Sequence, residues 1–199
     1  MPTAIIIAAN GFTTETTNPC LAAIADTTSP TTDPHRVFVF DRTPRAELTR
    51  AWNAGARLAS EFGCETVCFL NNDTRPYPGW LAPLVDPAIL ATHAAIGPVS
   101  NEPGHQPRQH GYAEQPPEYE SVEWDGGPVG QGKALNGFCF ATLTERVLEL
   151  PFNEREWTFL GSEDWWMYEA SERWGLPFAI ARHSYVWHAK AYTRTRLNG

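Results

Sequence analysis

Three largely apolar runs in the first 75 residues predict buried strands. They span residues 4–9, 37–40 and 66–70 and are rich in Ile, Val and Phe. Short runs of this kind, without polar alternation, are typical of strands that are buried on both faces. We therefore expect three core strands, each ending at a polar residue.

The segments between these runs carry helical signals. Asn18 and Pro19 supply an N-cap and a first-turn proline for a short helix near residues 21–25. A stronger helix is expected to start at Thr43-Pro44 and to end at Gly63, in the C′ position. Apolar residues at spacings of four and three predict its buried face, namely Leu48, Trp52, Gly55, Ala59 and Phe62.

Strands and helices that alternate in this order indicate an α/β fold with right-handed crossovers. The expected architecture is a Rossmann-like, mostly parallel mixed sheet flanked by helices on both faces. The sequence has no internal repeat and no linker that would divide it, so we expect a single domain over residues 1–199.

The second half of the chain is less regular. Its predicted elements are strands at 95–99, 134–141 and 178–187 and helices at 143–150 and 162–174. In the last of these helices, Glu169 and Arg173 have the spacing of an i,i+4 ion pair. Residues 101–133 are rich in Pro, Gly and His and lack periodicity, which is typical of a functional loop.

Composition limits the classes of function. The formal net charge is -8, from 15 Lys and Arg against 23 Asp and Glu, which argues against a broad nucleic-acid-binding surface. The longest aliphatic run is too short to span a bilayer. Met1-Pro2-Thr3 lacks the basic patch of a secretory signal. A soluble, cytoplasmic protein is expected.

Several common sites have no matching pattern in the sequence. The four cysteines form no C-x-x-C pair, so we interpret them as buried thiols rather than a disulfide framework or a zinc site. The sequence has no P-loop. A dinucleotide fingerprint is also missing, because Asn10-Gly11-Phe12 after the first strand contains only one glycine.

Polar residues follow each of the first three predicted strands: Asn10, Asp41 and the segment from Asn71 to Asp73. Parallel strands end at one edge of a sheet, so these side chains could converge on one ligand. Oxygen ligands of this type suit Mg²⁺ or Mn²⁺, which bridge to substrate phosphates. The alternative is that these residues simply begin turns, a position that Asn and Asp favour in any protein.

Five segments in order resemble family 2 glycosyltransferases with the GT-A fold. Leu70-Asn71-Asn72-Asp73-Thr74, with Pro78-Gly79-Trp80-Leu81, is similar to the metal-binding DXD-type segment of that family. The other similar segments are Arg50 to Gly55, Gly137 to Phe140, Gly161 to Asp164 and Val186 to His188. Together they cover most of the chain from Ala4 to about His188.

The resemblance implies an inverting transfer of sugar from a nucleotide-sugar donor to an acceptor hydroxyl. It implies a donor-binding half, 1–100, and an acceptor-binding, catalytic half, 101–199. Mn²⁺ or Mg²⁺ would be held by Asp73 and His188, and Asp164, beside Glu163, would be the general base. The implied donor-binding residues are Asn10, Asp41, Asn53, Asn71 and Asn72.

The sequence departs from the family at two of these segments. Asn71 stands where the family often has Asp, and Trp166 stands where a further acidic residue is frequent. Both departures favour the alternative of a catalytically silent module that binds a nucleotide sugar or a carbohydrate. Without the resemblance, His188 has the pattern of an ordinary core or surface histidine, and Glu163 and Asp164 that of an ordinary helix start.

This interpretation does not assign the class of the acceptor, which is a glycan, a protein, a lipid or a modified nucleic acid. We expect acceptor choice to depend on residues 101–133. The basic tail with Lys190, Arg194 and Arg196 is either a solvated terminus or a flap over the pyrophosphate of the donor.

Overall fold

The computed structural model describes residues 2–9, 13–29, 31, 33–41, 48–104, 106–125, 134–155 and 162–189. The strands are β1 Thr3–Ala9, β2 His35–Asp41, β3 Thr66–Asn71, β4 Thr74–Pro76, β5 Ile96–Val99, β6 Tyr119–Val122, β7 Cys139–Leu143 and β8 Phe178–His188. The helices are α1 Asn18–Thr27, α2 Leu48–Glu61, α3 Leu81–Leu84, α4 Pro87–Leu90, α5 Thr144–Glu149 and α6 Ser162–Trp174. A π-helical turn, Thr13–Thr17, precedes α1, and a 3-10 turn, Pro107–Gln109, lies before β6.

The described strands form one mixed sheet. Its order is β2-β1-β3-β7-β5-β8-β4, and β6 pairs with β8. β1 is parallel to β2 and β3, and β5 is parallel to β8, whereas β7, β4 and β6 run in the opposite direction. The predicted α/β class with a mostly parallel mixed sheet is confirmed.

Helices cover both faces of the sheet, and each face has its own hydrophobic cluster. On one face, Trp52 of α2 and Trp166 of α6 pack with Phe69 and Phe140 of the sheet. On the other face, α1, α3 and α4 cover the alternate residues of β1 and β3, including Ile5 and Ile7. The central strands are buried on both sides, as their unbroken apolar runs predicted.

The prediction that β2 is buried on both faces is wrong. Phe38 and Phe40 pack against the cluster beneath α2, but Val37 is 36% exposed and Val39 is 42% exposed. The reason is topological: β2 stands at the end of the strand order, so it is an edge strand with only one covered face. The sequence of β2 is as apolar as that of a central strand, and nothing in that sequence specifies which strands will lie beside it.

Smaller differences also have local causes. α1 is preceded directly by the π-helical turn, so its N-cap is Thr17 rather than Asn18. Phe62 follows α2 and is exposed, with the guanidinium of Arg36 over its ring. Arg173 pairs with Glu149 at 2.7 Å instead of the predicted partner, Glu169.

The segment at 134–141 and the loop at 101–133 also differ from expectation. The strand predicted over 134–141 begins only at Cys139, and the residues before it form a turn. The long segment after β5 contains the 3-10 turn and the four-residue strand β6, neither of which its composition indicated. The predicted helix start at Thr43-Pro44, Gly161 and the basic tail lie outside the described residues.

The four cysteines are buried, free thiols, as predicted. Burial raises the pKa of Cys20 to about 11 and also raises the pKa of Cys64 and Cys139. The thiolate is the reactive form, so buried thiols with raised pKa values are poor nucleophiles at neutral pH.

We therefore expect the folded protein to react very slowly with a thiol reagent such as Ellman's reagent at pH 7.5. In guanidinium chloride, all four thiols should react at the rate of a free cysteine. Absorbance of the released thiolate measures both. Rapid modification of one or more cysteines under native conditions would contradict the buried placement.

Candidate functional site

The carboxyl ends of β1, β2 and β3 lie at one edge of the sheet. In register, Ala9 is opposite Asp41 and Ala8 is opposite Asn71. β1 separates the other two strands, so Asp41 lies about 10 Å from Asn71, two strand spacings away. The structure therefore brings Asp41 to the same edge without direct contact with the turn after β3. Asn10 lies outside the described residues.

The turn after β3 is anchored to the start of α1. The hydroxyl of Thr74 donates to the carbonyl of Asn71 at 2.6 Å, and the sulfur of Cys20 lies 3.6 Å from the same hydroxyl. Nδ2 of the buried Asn72 donates to the hydroxyls of Thr16 and Thr17 at 2.9 and 3.0 Å. These bonds fix the turn and the direction of the residue within it, Asp73.

Asp73 and His188 meet at this turn. Oδ1 of Asp73 lies 3.5 Å from Nε2 of His188, and the two side chains are 6% and 12% exposed. The contact is made by antiparallel pairing of β4 with the end of β8, in which Thr74 is opposite His188. The amide of Ala189 also donates to the carbonyl of Asp73 at 3.1 Å. Two residues remote in sequence are thus fixed side by side.

Three residues hold His188 in place: Asn101 bonds its main chain, and Phe138 and Glu102 contact its ring. Asn101 bonds its main chain twice: Oδ1 accepts from the amide of His188 at 2.8 Å and Nδ2 donates to its carbonyl at 3.1 Å. The ring stacks on Phe138, with centroids 5.2 Å apart and an interplanar angle of 18°. Nδ1 lies 3.0 Å from the carbonyl of Glu102. A carbonyl can only accept, so Nδ1 carries a proton.

This tautomer places the lone pair of Nε2 opposite the carboxylate of Asp73. Two electron-rich atoms at this distance repel each other unless positive charge lies between them, either a proton on Nε2 or a metal cation. Burial alone lowers the pKa of His188, but its hydrogen bond to Asp73, the charge of Asp73 and the Glu102 carbonyl raise that pKa above the usual histidine value. The site favours a cation.

The donor atoms of this pair fit a divalent ion. In octahedral coordination at about 2.1 Å, two neighbouring ligand atoms are about 3 Å apart, close to the observed separation. A ligating histidine usually donates its other N–H to a carbonyl, as His188 does to Glu102. No cluster of three His, Cys, Asp or Glu ligands occurs among the described residues, so other ligands would have to complete the shell.

Glu163 and Asp164 lie in the first turn of α6, whose positive dipole end favours carboxylates. Asp164 is buried, whereas Glu163 is half-buried and lies over Gly137. A side-chain carbon at position 137 would lie 2.5 Å from Cγ of Glu163, so only glycine allows this approach. The next residue, Phe138, stacks on His188, which brings the acidic pair to the same region as the Asp73–His188 pair.

Two of the predicted donor-binding residues, Asn53 and Asn72, have side-chain amides that bond within the protein. Asn53 is buried within α2: its Nδ2 donates to the carbonyl of Phe152 and to Glu154, and its Oδ1 accepts from the amide of Phe152. Its amide therefore anchors the loop after α5 rather than facing a ligand. Nδ2 of Asn72 is likewise committed to Thr16 and Thr17. The donor-binding roles of Asn53 and Asn72 stay predictions, and the N–H groups of both amides are engaged within the protein.

Sequence reasoning missed the residues that support His188. Asn101 falls in the segment assigned to acceptor choice, and no local pattern distinguishes it from other loop asparagines. Phe138 was recognised only as part of a strand. The one available signal was an Asn two residues after a buried strand, β5, which is similar to the signal that singled out Asn71.

Comparison with solved structures identifies the fold. The chain resembles the crystal structure of GalNAc-T7 with UDP, GalNAc and Mn²⁺, a glycosyltransferase, with a TM-score of 0.65 and 14% sequence identity. The match covers 94% of this chain and 43% of that chain. The crystal structure of A197 from STIV matches with a TM-score of 0.58 and 10% identity, over 94% of this chain and 85% of that one.

The chain therefore has a GT-A-like fold and spans less than half the length of the GalNAc-T7 chain. At these identities the likeness shows the fold alone. No protein-family model matches the sequence, and a search of curated proteins finds no significant match. None of the described helices has the length and apolar character needed to cross a membrane.

Replacing Asn101 tests the support of His188. Asn101→Ala removes both hydrogen bonds to the main chain of His188 and leaves those groups unpaired. We expect a loss of about 1–3 kcal/mol in the free energy of unfolding, measured by urea denaturation. The matched control, Asn18→Ala at an exposed position, should change stability by less than about 0.5 kcal/mol. Equal effects of the two substitutions would contradict the role of Asn101.

Proposed function

We propose that this chain is a metal-dependent, inverting glycosyltransferase of the family 2 type, which transfers a sugar from a nucleotide-sugar donor to an acceptor hydroxyl. The main support is the buried Asp73–His188 pair, which favours a cation at the carboxyl edge of a GT-A-like sheet. In this proposal, residues 1–100 bind the donor and residues 101–199 bind the acceptor within a single domain.

The donor would lie along the carboxyl ends of β1, β2 and β3. Asp41 would accept a hydrogen bond from the nucleobase, with Asn10 in the same pocket, and Asn71 would line the diphosphate side. Asp73 and His188 would hold Mn²⁺ or Mg²⁺, which when bound would neutralise charge on the leaving diphosphate. Asn72 and Asn53 would act on the donor through the segments that they anchor, the turn after β3 and the loop after α5.

Asp164 would act as the general base, with Glu163 beside it. It would take the proton of the acceptor hydroxyl as that oxygen attacks the anomeric carbon from the face opposite the diphosphate, which inverts the configuration. General-base assistance is typically worth about a hundredfold to ten-thousandfold in rate. Glu163, which approaches the backbone of Gly137, would border the sugar and the acceptor hydroxyl.

A second candidate is a module that binds a nucleotide sugar without transferring it. The observation in its favour is the small number of charged ligands: Asn71 takes the place of a carboxylate, and Asp73 and His188 are the only such pair described at this edge. Binding is common to both candidates, so only a test of chemistry separates them.

Metal-dependent binding can be tested with nucleoside diphosphates. In a thermal-shift screen, UDP or GDP with Mn²⁺ should raise the melting temperature of the wild type more than either component alone, because ligands stabilise the folded state to which they bind. Asp73→Asn and His188→Ala should lose the part of the shift that requires Mn²⁺. His110→Ala, at an exposed histidine, is the control and should keep it. If the nucleotide raises the melting temperature of the wild type equally with and without Mn²⁺, metal dependence is refuted.

Substitution of the acidic pair tests the chemistry. Asp164→Asn should lower donor turnover by about a hundredfold or more while leaving the nucleotide-induced thermal shift unchanged, since a base acts on the acceptor and not on donor affinity. Release of the nucleoside diphosphate from a panel of nucleotide sugars measures turnover. If Glu163→Gln abolishes turnover and Asp164→Asn does not, the base is Glu163. A wild type that binds donor but never releases sugar is the silent module.

A further inference from the structure

Three aromatic side chains form a continuous surface next to the acidic pair. The ring of Tyr168 lies 6.1 Å from that of Trp165 and 6.2 Å from that of Trp124, at interplanar angles of 62° and 54°. All three residues are half-buried, so each keeps a part of its surface exposed. We call Trp124, Trp165 and Tyr168 the aromatic wall.

The aromatic wall begins at the acidic pair. Trp165 follows Asp164 directly in the chain, and Tyr168 lies one helical turn after Asp164, on the same side of α6. Trp124 comes from a different segment, two residues beyond β6. A ligand that touched the aromatic wall would therefore extend along α6 from the carboxylates.

The wall also contains an unused hydrogen-bond donor. Nε1 of Trp124 is buried and has no acceptor among the described residues. A buried N–H without an acceptor costs free energy, and such a group in a native fold indicates a water or ligand oxygen. The missing partner is thus an acceptor atom, which an ammonium or guanidinium group cannot provide.

The charged residues next to the wall in sequence are negative. Glu123 and Asp125 flank Trp124, and Glu169 follows Tyr168. Residues 118–125 include no Lys or Arg, and the one cation of α6, Arg173, is bonded to Glu149. Phosphate groups of a nucleic acid or an anionic lipid would be repelled here. Carboxylates instead accept hydrogen bonds from neutral hydroxyl groups.

We propose that the aromatic wall binds an uncharged sugar unit of the acceptor. A sugar ring has an apolar C–H face that packs on aromatic rings and hydroxyl protons that donate to the neighbouring carboxylates. This inference rests on the proposed glycosyl transfer, and it assigns the acceptor class: a neutral glycan, whose terminal hydroxyl points to Asp164.

Binding of neutral oligosaccharides in the absence of donor and metal tests the proposal. The probes are trisaccharides of glucose, galactose, mannose and N-acetylglucosamine, with hexalysine and a single-stranded oligonucleotide as competing classes. Saturation-transfer NMR and tryptophan fluorescence report binding. We expect at least one trisaccharide to bind, with an affinity that Tyr168→Ala and Trp165→Ala each lower by about threefold to tenfold.

Three comparisons make the outcome specific. Trp124→Phe keeps a ring but removes the N–H, so it should weaken trisaccharide binding less than the two alanine variants do. Phe62→Ala, at an exposed aromatic residue outside both the wall and the proposed acceptor-binding half, should leave it unchanged. Melting temperatures identify any variant that fails to fold. If one of the two variants Tyr168→Ala and Trp165→Ala does not fold, the trisaccharide affinity of the other one is the test.

The proposal is overturned if no trisaccharide binds, if both alanine variants bind as the wild type does, or if hexalysine or the oligonucleotide occupies the wall instead. Donor is absent from this experiment, so its result is separate from that of the turnover assay. A trisaccharide that binds the wall of a protein without transferase activity would refute the enzyme and retain the glycan site.

Discussion

The candidate site depends on three residues of antiparallel pairing between β4 and β8. This short ladder sets Thr74 opposite His188 and so brings the imidazole to Asp73. A register slip of one residue would turn His188 to the other face of the ribbon, because side chains alternate along a strand. The register is secured from both sides: Asn101 bonds the main chain of His188, and the amide of Ala189 bonds that of Asp73.

Electrostatics explains why the Asp73–His188 pair favours a bound cation. Asp73 is nearly inaccessible to solvent, and a buried carboxylate is costly unless positive charge compensates it. The tautomer fixed by Glu102 leaves that compensation to a proton or an ion between Nε2 and Oδ1. In the proposed enzyme, Asn71 stands where the family often has Asp, so a second carboxylate is missing. The protein side chains alone would therefore bind the metal ion weakly. The diphosphate of the donor would then supply much of the negative charge, and ion and donor would bind together.

The elements that the sequence predicted well are those encoded locally. β1 and β3 follow from unbroken apolar runs and α2 from apolar periodicity, and Gly63 ends α2 with a φ of +68°, as its position indicated. The exposure of β2 was not predictable, because it depends on which strands become neighbours. The bonding partners of three amides were not predictable for the same reason: Asn53, Asn72 and Asn101 look alike in sequence, and each bonds to a remote segment. Asp73 was singled out by its place after a buried strand, whereas His188 was paired with it only through a resemblance that covers most of the chain.

The turn before β7 connects the parts of the site. Phe138 accepts from the amide of Asn71 through its carbonyl and stacks its ring on His188. Its neighbour, Gly137, provides the space into which Glu163 fits. Two adjacent residues therefore touch the turn after β3, the end of β8 and the start of α6. Any shift of this turn changes the separation between the cation-binding pair and the acidic pair. In a transferase, that separation is the space in which donor and acceptor must meet, so the packing at Gly137 would constrain the chemistry as directly as the ligands themselves.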